Sequence, residues 1–201
     1  MLGLLRWTLP ELVPPLAGTG ERPPGSRYVN IVSAAAPMWL GALSAPNSLF
    51  VHADRPLISE NGTSTIVHEM VHILLADLDT PRDQDWIDEG LAEYLSLRAL
   101  KDSGTISPDR YATTIGAFRR WGEQAKSLRT TASSGPVTAR AVVVFHDLDA
   151  ELRKASGGKR TVAALVRDFL RRDEPATLAS LRTAAGKVTG KPPRALAPAA
   201  V

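Results

Sequence analysis

The 201-residue sequence contains no cysteine. This absence excludes disulfide bonds, thiolate metal ligands and a cysteine nucleophile. It leaves the redox compartment open, because a chain without thiols tolerates both oxidising and reducing surroundings.

Long apolar runs are missing as well. No stretch approaches the roughly 18 residues of a membrane-spanning helix. The first 25 residues lack the basic start and the extended apolar stretch of a secretory signal. With 44% hydrophobic and 22% charged residues, the composition is typical of a globular protein and excludes wholesale disorder. We therefore expect a soluble protein, with the compartment unassigned.

Charge is unevenly spread along the chain. Residues 1–150 carry 13 Lys+Arg and 17 Asp+Glu, a net of −4, whereas residues 151–201 carry 11 and 4, a net of +7, which together give the overall +3. A basic C-terminal segment could contact nucleic acid or an anionic membrane surface. No interleaved aromatic residues and no nucleic-acid motif accompany these charges. A solvated helix face and tail is the favoured interpretation.

The order of predicted elements indicates an α+β fold. A small N-terminal β-sheet portion comes first, because residues 27–33 and 48–53 alternate in polarity or are rich in β-branched residues. Helical periodicity follows at about 63–78, 86–100, 108–126, 137–155, 160–172 and 176–187. We assign 1–25 to an N-terminal extension with a linker, 26–190 to one domain, and 191–201 to a flexible tail.

One motif carries clear chemical information. His68-Glu69-Met70-Val71-His72 matches the pattern H-E-x-x-H. On a helix, positions i and i+4 share a face, so both imidazoles can reach one metal ion. Glu69 lies beside that face, where it would contact a metal-bound water rather than the ion. We expect one zinc ion per chain, with His68 and His72 as ligands.

A third ligand must come from elsewhere in the chain, because a catalytic zinc typically has three protein ligands and one position for water. The metzincin pattern would need glycine at 75 and histidine at 78, and both positions hold leucine. Peptide deformylase would need a cysteine. The remaining common arrangement places a glutamate on a following helix.

The segment W-I-D-E-G-L-A-E-Y, from Trp86 to Tyr94, resembles the second motif of the gluzincin metallopeptidases, in particular the aminopeptidase N and glycyl aminopeptidase families. Their motif is roughly W-x-x-E-G-[FL]-A-x-Y, and its first glutamate is the third zinc ligand. The resemblance therefore implies that Glu89, separated from His72 by 16 residues, completes the site. It also implies that 26–190 form a mostly α-helical, zincin-type metallopeptidase domain.

Glu93 follows Glu89 by one helical turn. In gluzincins an acid at this place commonly holds a zinc-bound histidine through its second ring nitrogen, and metal-bound imidazoles usually need such a partner. The resemblance implies this role for Glu93. The alternative interpretation is a solvated helix carboxylate.

The resemblance implies hydrolysis of peptide bonds. Zinc lowers the pKa of its bound water to about 7. Glu69 would then take the proton as the general base and pass it to the leaving amine. We expect a zinc metallopeptidase with a peptide or protein substrate, no nucleic-acid partner and no stable membrane insertion.

Two positions depart from the family pattern. Ser44, in G-A-L-S-A, stands where the G-A-M-E-N strand of aminopeptidase N has its amine-binding glutamate. Asp54 and Glu60 are the candidate substitutes, and the strand itself could still bind an extended peptide. Thr138 stands where these families usually have a tyrosine that stabilises the oxyanion. Tyr111, Arg140 and His146 are the candidate replacements. The alternative function is a catalytically weak or inactive gluzincin-like zinc domain that binds peptides.

Overall fold

The computed structural model describes residues 1–17 and 28–197. The predicted linker at 18–25 and the last four residues of the predicted tail lie outside the described residues. The predicted α+β class is confirmed, since the described residues form one small sheet and seven α-helices. The elements are α1 (Leu2–Ala17), β1 (Asn30–Ala34), β2 (Ala42–Ala45), β3 (Ser48–His52), α2 (Thr65–Leu74), α3 (Trp86–Asp102), α4 (Pro108–Gly122), α5 (Pro136–Ser156), α6 (Val162–Arg172) and α7 (Leu178–Thr189), with short 3₁₀ turns at Arg82–Gln84 and Arg194–Leu196.

The described chain folds as two compact units. The first contains Met1–Asp77 and Leu95–Thr114, and the second contains Leu78–Tyr94 and Ile115–Val201. No helix among the described residues is both long and apolar enough to cross a membrane.

The sheet of the first unit has the strand order β1-β3-β2. β1 runs parallel to β3, and β2 runs antiparallel to it. Successive side chains of β3 point to opposite faces of the sheet, so Leu49 and Val51 are buried on the same face. Helix α2 packs against β2 and β3. β2 lies within the G-A-L-S-A segment and is an edge strand of the sheet.

The first 17 residues, expected to be an extension, form helix α1. A stripe with a period of four residues is buried along it: Leu4, Thr8, Leu12 and Leu16. The Thr8 hydroxyl donates to the carbonyl of Leu4 at 3.0 Å, which satisfies the buried polar group within the helix. α1 packs against α2. The helix forms although it contains Pro10, Pro14 and Pro15, because burial of this stripe stabilises it.

Helix α5 is the centre of the second unit. α6, α7 and the 3₁₀ turn at Arg194–Leu196 all pack against it. Buried Asp149 accepts a hydrogen bond from the backbone N–H of Val162 at 2.7 Å and fixes the start of α6. Glu151 accepts from the backbone N–H groups of Arg194 and Ala195 at 3.0 and 2.8 Å. Residues 194–197, within the predicted tail, are thereby held against α5.

Candidate metal centre

Helix α2 carries the H-E-x-x-H motif on an amphipathic scaffold. Its apolar side chains are buried, while His68 and His72 are half-buried. The helix begins after Ser64, which has the extended backbone of an N-cap but makes no side-chain capping bond. It ends at Leu74, four residues before the predicted end near residue 78. The motif therefore lies entirely within regular helix.

The two histidines of α2 converge through the same ring atom. The Nε2 atoms of His68 and His72 are 3.1 Å apart, and the ring planes cross at 77°. Two imidazoles bound to one tetrahedral zinc at about 2.0–2.1 Å would have their nitrogens about 3.3 Å apart. The observed separation is close to that value, so the pair fits a shared metal ion.

Glu69 is buried, with 9% of its surface exposed, although it follows His68 directly. A buried carboxylate is uncommon unless it has a specific role or partner. The structure therefore sets Glu69 apart from the exposed acids of the first unit, such as Glu60.

The loop before α2 is anchored by side chains of α4. The Thr114 hydroxyl donates to the carbonyl of Asn61 at 2.7 Å. The Arg110 guanidinium donates to the carbonyls of Ser59 and Glu60 at 2.8 and 3.3 Å. These contacts hold the backbone from which the histidine helix starts. They join residues about 50 positions apart, a separation for which the sequence offers no periodic signal.

In the second unit, three hydrogen bonds anchor the segment that leads into α3. The backbone N–H of Leu178 donates to the Gln84 side-chain carbonyl at 2.7 Å. The backbone N–H of Ser133 donates to the Asp85 carboxylate at 2.6 Å. The backbone N–H of Ala176 donates to the carbonyl of Asp79 at 2.8 Å. Asp85 has helical backbone angles rather than the extended backbone that is typical of an N-cap residue.

Helix α3 begins at Trp86 and carries Glu89 in its first turn. Glu89 and Glu93 are half-buried and lie one turn apart. Gly90 lets α3 approach α5 closely, because a Cβ at this position would come within 2.6 Å of the Ala141 Cβ. The glycine next to the predicted ligand thus has a packing role.

Together with Glu89, the histidines make a group that could hold a metal ion. Each of His68, His72 and Glu89 offers one ligand atom, and these atoms all lie within 4.8 Å of one another. Two imidazoles and one carboxylate are a donor set that zinc accepts, with a fourth position left for water. The motif around His68 predicts two of these residues as ligands, and the resemblance to gluzincins implies the third.

The residues considered for oxyanion stabilisation differ in their surroundings. Thr138 lies in the first turn of α5. The Arg140 guanidinium donates to the carbonyl of Ala125 at 2.8 Å. Tyr111 is buried beneath the cationic groups of Arg98 and Lys101, which lie 6.0 and 5.1 Å from its ring centre.

His146, on α5, is half-buried and meets the ring of Tyr94 edge-on, at 6.4 Å between ring centres. Both residues belong to the second unit.

Comparison with known proteins gives one informative result. No protein-family model matches the chain, and no curated protein matches it at a significant level. Among solved structures, an aminopeptidase N family protein from Idiomarina loihiensis matches 86% of this chain with a TM-score of 0.59 and 16% sequence identity. This chain spans 36% of the length of that protein. At such low identity, the likeness concerns the fold alone.

Proposed function

We propose that this chain is a zinc metallopeptidase that hydrolyses peptide bonds with Glu69 as the general base. The observation that carries the proposal is the grouping of His68, His72 and Glu89, with Glu69 beside the first histidine. The fold likeness to an aminopeptidase N family protein supports the same class of enzyme.

Three residues would hold the metal. His68 and His72 would bind through Nε2, the ring atoms that already converge, and Glu89 would bind through a carboxylate oxygen. Zinc supplies Lewis-acid chemistry in such sites, because it lowers the pKa of water and polarises a carbonyl group. A single carboxylate ligand leaves the loaded site with a net charge of +1, which favours developing negative charge on a substrate carbonyl.

Glu69 would move the proton. Its carboxylate would accept a proton from the attacking water and deliver it to the nitrogen of the leaving amine, so no proton is lost or gained overall. Glu93 would act through a histidine rather than on the substrate, by fixing the orientation of its ring.

The edge strand β2 would bind the substrate backbone. It pairs with β3 alone among the described residues, and α2 packs against it. An extended peptide can add to such an edge through backbone hydrogen bonds. Ser44 cannot form an ion pair with a substrate amine, which favours recognition of internal peptide segments over recognition of a free N-terminus.

A second candidate function is a zinc-containing peptide-binding domain with little or no turnover. Thr138 at the family's tyrosine position favours it, because loss of one oxyanion donor typically lowers the rate about 100- to 1000-fold. The buried acid at position 69 favours the enzyme, since a purely structural zinc site needs no base.

The test combines metal analysis with a mixed peptide library, with and without a chelator. We expect one zinc per chain and cleavage that the chelator abolishes and added zinc restores. One zinc per chain without cleavage would contradict the peptidase and support the binding domain. Absence of metal after purification and zinc titration would contradict both.

A further inference from the structure

The sheet of the first unit has one covered face and one open face. Residues paired across neighbouring strands share a face. Val32 pairs with Phe50, and Phe50 pairs with Leu43, so these three side chains form a row across all three strands. Val32 is 54% exposed, Leu43 is 66% exposed, and Phe50 is half-buried. This row lies on the face opposite to the buried Leu49 and Val51.

Trp39 extends this row beyond β2. Gly41 lies two residues before Leu43, so the two residues share a face. A Cβ on Gly41 would overlap the indole ring of Trp39, which places the indole against the open face at the start of β2. Trp39 is nevertheless 65% exposed. We call Val32, Trp39, Leu43 and Phe50 the outer apolar row.

The outer apolar row ends at the edge of β2 that pairs with no other strand among the described residues. The backbone N–H of His52 donates to the carbonyl of Gly41 at 2.9 Å, so these two residues form a hydrogen-bonded pair. Such pairs alternate along antiparallel strands. The backbone groups of Leu43 therefore face β3, and those of Ala42 and Ser44 face the open edge. A strand added there would lie about 4.8 Å from β2.

These features together define what an added peptide would meet. Successive side chains of a strand point to opposite faces, so every second side chain of the peptide would lie on the open face. A peptide side chain directly opposite Leu43 would have its Cβ about 4.5–5.5 Å from the Leu43 Cβ. The next peptide side chain on this face would contact Trp39. None of the four residues in the outer apolar row carries a charge.

We propose that the outer apolar row selects peptides with large aliphatic or aromatic side chains at alternate positions of their extended segment. The proposal rests on the proposed function, because it names the substrate class of the same edge strand. A second copy of the chain is a poorer occupant, since four side chains fall short of the roughly 800 Å² per partner that a stable interface buries.

The test measures binding separately from cleavage. Glu69→Gln protein loaded with zinc is titrated against two labelled eight-residue peptides of equal charge, one with leucine and one with serine at alternate positions. We expect the leucine peptide to bind about ten-fold tighter or more. Leu43→Ser and Trp39→Ala, each added to Glu69→Gln, should reduce the ratio to about three-fold or less.

Trp7→Ala in the same background is the matched control, because Trp7 is 70% exposed and lies on α1 rather than on the sheet. It should leave the ratio unchanged. Thermal melting checks that each variant is folded, and the exposed Leu43 is the variant least able to disturb folding. Cleavage of both peptides by the wild-type protein, expressed as kcat/KM, gives the parallel readout.

The two proposals fail in different ways. Equal binding of both peptides would overturn selection by the outer apolar row, even if the protein cleaves peptides. So would an affinity ratio that Leu43→Ser leaves unchanged. A Leu43-dependent ratio without any cleavage would overturn the peptidase and leave selection standing. Binding of neither peptide would overturn selection. So would self-association that Leu43→Ser abolishes, because the occupant would then be a second copy.

Discussion

At the scale of single residues, neighbouring positions on α2 have different proposed roles. His68 and His72 are half-buried and bring their Nε2 atoms within 3.1 Å, whereas Glu69 is buried beside them. A substitution at 69 should therefore affect turnover without affecting metal content. A substitution at a ligand should affect metal content first.

Glu69→Gln should keep one zinc per chain and lose activity. The amide has nearly the same shape as the carboxylate but cannot accept the proton, and general base catalysis typically contributes about 10²- to 10⁴-fold. The measurement is kcat with zinc content determined on the same sample. Glu11→Gln, at an exposed position of the same unit, is the control and should retain full activity. Unchanged hydrolysis in Glu69→Gln would show that the base is wrongly assigned.

Glu89→Ala and Glu93→Gln should differ in the size of their effect on zinc affinity. Loss of a residue that orients a metal-bound histidine typically weakens metal binding about 10- to 100-fold. We expect Glu93→Gln to fall in that range and Glu89→Ala to exceed it, because a direct ligand is removed. Competition titration with a zinc indicator measures both. A larger loss for Glu93→Gln would exchange the two roles.

At the scale of elements, helix α3 depends on its glycine for contact with α5. A Cβ at Gly90 would lie 2.6 Å from Ala141 and 3.0 Å from the ring of Phe145. Gly116, inside α4, has only the far end of Arg120 nearby, at 3.6 Å. Alanine substitutions at Gly90 and Gly116 therefore make a matched pair, with opposite expected effects on stability.

Gly90→Ala should destabilise the protein by about 1–3 kcal/mol, which is typical of overpacking in a core. Gly116→Ala should stabilise it by about 0.5–1 kcal/mol, because alanine loses less backbone entropy in a helix. Urea unfolding of both variants measures the difference. A stabilised Gly90→Ala would mean that α3 and α5 are not in close contact.

Elements with a strong period could be predicted from the sequence, and those decided by tertiary contacts could not. The helices from α3 to α7 lie close to their predicted ranges. Helices α4 to α7 each have an apolar face with helical spacing, whereas α3 is buried on most of its sides. Helix α1 was missed because Pro10, Pro14 and Pro15 outweighed the buried stripe from Leu4 to Leu16. β2 is only four residues long, too short for alternation to be distinctive.

The candidate site shows the same division. The motif around His68 and the segment around Glu89 are local patterns, and their residue types alone indicate zinc chemistry. The anchoring of the α2 loop by Thr114 and the position of Trp39 over Gly41 leave no local pattern. Both depend on residues brought together by the fold.

At the scale of the whole molecule, metal binding should be visible as added stability. A ligand that binds only the folded state stabilises it by about 2.7 kcal/mol when its free concentration is 100 times its Kd. For a chain of 201 residues, this corresponds to about 5–10 °C in melting temperature. A chelator should remove that increment from the wild-type protein.

His72→Ala is the control for this measurement. Without one of the converging imidazoles, its melting temperature should not respond to zinc or chelator. An equal response in His72→Ala and wild type would show that zinc binds elsewhere in the chain.

The stacked pair of Trp86 and Phe145 offers an optical signal for the second unit. Trp86 is fully buried, lies 5.6 Å from the Phe145 ring between centres, and its indole N–H has no hydrogen-bond partner among the described residues. Its fluorescence should therefore be blue-shifted and shielded from acrylamide, whereas the exposed Trp7, Trp39 and Trp121 should emit at longer wavelength and be quenched. The quencher-resistant emission would then report unfolding of the second unit alone.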